Sequence, residues 1–239
     1  MSTTKIQVKT ADVAGLKIFC RVAGDPSKPT IVLLHGFPSS SYQFHDLILL
    51  LADRFYLIAP DYPGMGHSDA PDPTVLRPTF DDVATVINEL IAQCAPGPVI
   101  LYMHDIGGPI GMRIATDHSD RIAGLIFQNF TISVGGWNPE RLKVYERLGG
   151  PETPENLAEI EQFATVDRDM FLHKRGARRP DALNPELLGD RRLYVFDPGE
   201  SGLHVEVVYE PRDEHPALPS MDRVSEGPAA KIAHRVGSK

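Results

Sequence analysis

At 239 residues the chain is long enough to bury one core with a smaller appended unit, and no low-complexity linker divides it. Its 42% hydrophobic and 23% charged residues are ordinary for a globular protein and argue against a membrane-embedded chain. The net charge of -8 disfavours a nucleic-acid backbone, so a small neutral molecule is the expected partner, with neither nucleic acid nor membrane.

From the start, Ile6 to Lys9 and Leu16 to Phe19 have β character and flank a turn at Ala14-Gly15, which predicts an opening hairpin. Continuous apolar runs follow at Thr30 to Leu34, Tyr56 to Ala59, Pro98 to Met103 and Ile122 to Phe127. Runs apolar on both faces are what a buried parallel sheet requires. Helical patterns lie between them, at Asp46 to Leu51 and Gly108 to Ala115. A third carries Val83, Val86, Ile87, Leu90, Ile91 and Cys94 on one stripe behind a Thr79/Asp82 capping box. This alternation predicts an α/β fold, a mostly parallel sheet with helices on its faces, over residues 1–132.

Beyond Asn129 the texture changes. Asn138 to Arg147, Pro154 to Ala164 and Asn184 to Leu188 read as short helices separated by Gly and Pro, which predicts a helical cap over 133–210. Residues 211–239 have no convincing period and read as an irregular tail. Cys20 and Cys94 are too few for a disulfide framework, and the N-terminal residues lack a secretory apolar run, so a reduced, cytoplasmic protein is expected.

The chemistry concentrates in Val99 to Gly111, a buried strand running into a tight turn and a helix, with Asp105 at the turn and Gly107 and Gly108 after it. A nucleophile elbow needs this arrangement, because small residues after the attacking group let the helix pack close. A carboxylate there points to an aspartyl ester, and the helix start favours the anion. Asp also caps helices, so the elbow alone leaves both roles open. Two further pieces favour the first. Ile31 to Pro38 places His35-Gly36 directly after a strand, so that the Phe37 and Ile106 backbone N–H groups would form an oxyanion hole; the His35 side chain itself is expected to bond backbone. Ala59 to Asp69 is a loop rich in Gly and Pro, in which Asp61 is expected to secure backbone. Dinucleotide binding through Gly107, Gly108 and Gly111 is disfavoured, because their spacing is not G-x-G-x-x-G and the turn follows a later strand.

On these three motifs, in this order and spacing, the stretch from Thr30 to Asn129 resembles the α/β-hydrolase fold family. The resemblance is to its aspartate-nucleophile branch of haloalkane dehalogenases, epoxide hydrolases and haloacetate dehalogenases. It implies hydrolysis without a cofactor or metal: Asp105 displaces a leaving group or opens a ring, and a histidine-activated water cleaves the ester. Two positions depart from the dehalogenase pattern. Its members usually carry Asn and Trp where this chain has Phe37 and Ile106, whose side chains cannot donate a hydrogen bond to a halide. For an epoxide, Tyr145, Tyr194 and Tyr209 are the candidate proton donors of the cap.

The family's later strands and its C-terminal Gly-His are not legible. His204, His215 and His234 follow no buried strand, and Asn129 stands where some relatives place an acid. The expectation is a chain truncated or frameshifted near Glu210, since Met221 to Lys239 fits codons that, read one nucleotide along, spell a strand ending in Trp-Gly. Such a chain would form the ester without turnover, a non-turnover binding protein, and the Ile122 to Phe127 strand would be an open edge inviting self-association.

Overall fold

The computed structural model describes residues 5–71, 78–95, 97–132, 134–136, 138–148, 153–163, 171, 173–182, 193–199 and 202–208. The chain opens with β1 (Gln7–Val13) and β2 (Leu16–Ala23), an antiparallel pair. Their two-residue turn has positive φ at both Ala14 (51°) and Gly15 (80°), the backbone that matches the twist of a hairpin. Then come β3 (Thr30–Leu34), α1 (His45–Leu51), β4 (Tyr56–Pro60), α2 (Phe80–Cys94), β5 (Val99–His104), α3 (Gly107–Asp117) and β6 (Ile122–Gln128).

Six strands form one sheet in the order β1-β2-β4-β3-β5-β6, with β2 antiparallel to β4 and β3, β4, β5 and β6 mutually parallel. β3 and β4 are buried at every position, which is why their sequences are apolar on both faces. On one face the helices α2 and α3 pack Val83, Ile87, Leu90, Ile91, Ile110 and Ile114 over Ile18, Val32, Leu34 and Ile58. On the other, Phe44 and Ile48 cover Leu33, Leu57 and Ala59. Thr79 starts α2 as expected: its hydroxyl accepts from the Asp82 N–H, and the Asp82 carboxylate accepts from the Thr79 N–H.

Three further features bear on the expectations: the first two follow them and the third does not. β6 has the composition of a buried strand, yet among the described residues it is the outer strand of the sheet, and Leu125, Ile126 and Phe127 are exposed. Next, α4 (Pro139–Leu148) and α5 (Pro154–Phe163) match the first two expected cap helices. They are joined by Arg147, which bonds Glu159 and Asn156, while the Asn156 amide donates back to the Arg147 carbonyl. The third expected helix, Asn184 to Leu188, lies outside the described residues. Finally, β7 (Leu193–Gly199) and β8 (Gly202–Val208) form a separate antiparallel pair in a region expected to hold no strands.

Candidate active site

The carboxyl ends of the parallel strands β3 and β5 converge on Asp105. That residue has φ 50°, a left-handed backbone rare for a side chain other than Asn or Asp, and it links β5 to α3. The bend turns the side chain out of the sheet, and Asp105 is exposed. The Gly108 N–H donates to the Asp105 carbonyl at 2.9 Å and closes the first turn of α3. Close approach explains the glycines. A Cβ at Gly107 would run into the Leu34 carbonyl oxygen, one at Gly108 into the Phe130 ring, and one at Gly111 would lie 2.5 Å from the Met103 sulfur. At each of these positions protein atoms already fill the space a side chain would need.

The loop after β3 meets this carboxylate. The Phe37 N–H donates to Asp105 Oδ1 at 2.9 Å. The orientation of that amide is fixed from behind. The carbonyl of the same peptide unit, on Gly36, takes the His35 Nδ1 at 2.9 Å and the Ser39 N–H at 3.0 Å, and a trans peptide then aims its N–H the opposite way. A carbonyl only accepts, so Nδ1 carries the His35 proton. Burial is complete and holds the His35 imidazole below its ordinary pKa, keeping it neutral. Gly36 itself has no room for a side chain, since a Cβ would sit 2.8 Å from that of Asp105, and its N–H is held by Gln43 Oε1 at 3.1 Å.

Below this layer Tyr62 stacks on His35, with ring centroids 4.1 Å apart, and donates its hydroxyl to the His35 carbonyl at 2.9 Å. Burial and the charges of Asp105 and Asp61 hold the Tyr62 phenol well above its ordinary range, so it remains a donor. Asp61 is fully buried. Its carboxylate accepts the Ser41 N–H at 2.7 Å and the His67 N–H at 2.9 Å, tying the loop after β4 to the loop after β3. That is the backbone-securing part the sequence assigned to it. Gln43 and Tyr62 escaped the sequence reading, although Tyr62 sits beside Asp61 in a loop already singled out.

Ile106, directly after Asp105, is the N-cap residue of α3 and packs partly buried against the core, as does Phe37. Asn129 also adopts a left-handed backbone, with φ 48°, at the end of β6. The neighbouring His104 places Nδ1 3.1 Å from the Gln128 carbonyl. Tyr145 lies on α4 and Tyr194 on β7, with side chains outside the described atoms, and Tyr209 lies outside the described residues. His204 is on β8, also without a described side chain, and His215 and His234 are outside. Among the described residues there is no group of three or more metal-ligating side chains, and no helix long and apolar enough to cross a membrane.

Comparison with known proteins agrees with this architecture. Over 125 residues the chain is 41% identical to an uncharacterized hydrolase of Saccharomyces cerevisiae, a match covering 52% of this chain and 41% of that protein. Over 169 residues it is 32% identical to haloalkane dehalogenase 1 of Mycobacterium bovis, covering 68% and 55% respectively. The chain thus spans about half the length of these curated relatives. The solved epoxide hydrolase CorEH superposes with a TM-score of 0.59 at 25% identity, over 77% of this chain and 66% of that one. The Alpha/beta hydrolase family model matches residues 31–234, from β3 through the tail that looked irregular, and the chain therefore belongs to the alpha/beta hydrolase family.

Proposed function

We propose that the chain is a hydrolase in which Asp105 attacks an electrophilic carbon of a small, mainly apolar substrate and forms an aspartyl ester. The observation that carries this reading is the Phe37 N–H on Asp105 Oδ1 at a bend that exposes the carboxylate. With Oδ1 held, Oδ2 is the attacking atom. Oδ1 then becomes the ester carbonyl and stays against the donor, which polarises it for attack by water. As that attack proceeds the negative charge collects on Oδ1, where the Phe37 and Ile106 amides form the oxyanion hole; one such donor is worth roughly 3 kcal/mol of barrier. No cofactor enters this sequence of steps.

The substrate class is an epoxide, a haloalkane or a related electrophile. Phe37 and Ile106 bring no side-chain donor to a departing halide, which favours an epoxide, whose oxygen stays attached and takes a proton from a cap group such as Tyr145, Tyr194 or Tyr209.

One observation supports a second reading, in which the ester forms and persists. Of the histidines described beside the elbow, His35 is fully buried, away from bulk water, with Nδ1 on the Gly36 carbonyl, and His104 has Nδ1 on the Gln128 carbonyl. Intact-mass spectrometry separates the readings. A terminal epoxide or primary haloalkane should alkylate Asp105, and the Asp105→Asn protein, equal in shape, should show no adduct. Catalytic release of diol or alcohol identifies the turning-over enzyme, and a persistent adduct on Asp105 identifies the arrested one. A folded protein that gives neither adduct nor product refutes the nucleophile.

A further inference from the structure

The two cysteines, far apart in sequence, meet at the sheet. On β2 the alternate residues Ile18, Cys20 and Val22 face the layer occupied by α2, and Cys20 is fully buried there. On α2, Cys94 falls on the stripe of Val83, Ile87, Leu90 and Ile91, which packs onto that layer, and it is half-buried at the last turn. The end of α2 is anchored beside the opening hairpin by the Gln93 side-chain amide, which donates to the Asp12 carbonyl of β1 at 3.2 Å. Lys9 of β1 is the direct cross-strand partner of Cys20, so its side chain leaves the sheet on the same face.

We propose that Cys20 and Cys94 form a redox-active dithiol, a modification site separate from the hydrolytic centre. A peroxide attacks from the half-buried side. The Cys94 thiolate displaces hydroxide from the peroxide O–O bond and becomes a sulfenic acid, so that sulfur is oxidised and the peroxide reduced. The Cys20 thiol then attacks the Cys94 sulfur, an S–S bond forms, the S–OH bond breaks, and water leaves with the Cys20 proton. The surroundings suit this order. The Cys20 thiol donates a hydrogen bond to the Cys94 sulfur and, with the Lys9 ammonium, holds the Cys94 thiol down to about 7, a range where thiolate is abundant. Cys20 is pushed the other way by that bond, by burial and by the charges of Cys94 and Asp61, so it resolves and does not initiate. The product would pin the hairpin to the end of α2.

The experiment treats the native protein with hydrogen peroxide, then counts thiols after unfolding and maps linked peptides. The expected result is loss of both thiols together, a Cys20–Cys94 linked peptide, reversal by dithiothreitol, and a thermal midpoint raised by about 5 °C or more in the oxidised form. In Cys20→Ser, and in Cys20→Ala as a check on packing, Cys94 should stop at a sulfenic acid trapped by dimedone. In Cys94→Ser, Cys20 should stay reduced. Two thiols surviving in the folded wild-type protein, or Cys94 advancing to sulfinic acid beside a reduced Cys20, would overturn the proposal.

Discussion

His35 shows how much a single buried side chain can organise without touching a substrate. Its Nδ1–H holds the Gly36 carbonyl, the same peptide presents the Phe37 N–H to Asp105, and Tyr62 closes the stack from below. Burial disfavours the charged ring and holds its pKa below the ordinary value of 6.5. An unfolded chain binds that proton at the ordinary value while the folded chain resists it. Stability attributable to His35 is therefore complete above pH 6.5 and declines as pH falls below it, by up to about 1.4 kcal/mol per pH unit until the folded value is reached. Urea unfolding across this range should show the decline in the wild type and a flatter profile in His35→Gln. Equal slopes would mean that the imidazole is not the group responsible. The sequence located this residue and correctly left its side chain to the backbone. The Tyr62 partnership was not legible there, because stacking depends on how two loops from different strands fold over one another.

At the scale of elements, the elbow works because α3 lies almost on β3. Gly107 faces the Leu34 carbonyl with no space for a methyl group, and the obstacle is backbone, which cannot rotate away. Gly107→Ala should thus cost about 3 kcal/mol by thermal or urea unfolding and tilt α3, misplacing Asp105 and slowing ester formation. A variant with unchanged stability would show that α3 has room to move. Here the sequence was highly legible: a strand, an acid and two glycines allow few local structures, and all four parallel strands lie where apolar runs announced them. β7 and β8 were missed for an equally local reason. Pro198 and Gly199 within one strand and Gly202 opening the other read as breakers, and the alternation of Val205 and Val207 with Glu206 is too short to outweigh them.

Across the whole molecule, rigidity should follow strand order. β3 is paired with β4 on one side and β5 on the other, and β5 with β3 and β6, whereas β6 closes the sheet among the described residues and β7–β8 stand as a pair. Amide hydrogen exchange should be slowest in β3 and β5, faster in β6 and faster again in β7–β8. Protection of β6 equal to that of β5 would show that another segment pairs with it. The central strands carry the ends on which Asp105 and the Phe37 loop sit, so the proposed chemistry would rest on the part of the sheet expected to be most protected. The Asp61 carboxylate extends that protection into the loops, because it occupies the space where a side chain at Gly66 would stand. Directed evolution of the loops around Asp105 should consequently leave positions 61 and 66 untouched as a matched pair, because a side chain at 66 and the carboxylate at 61 compete for one space.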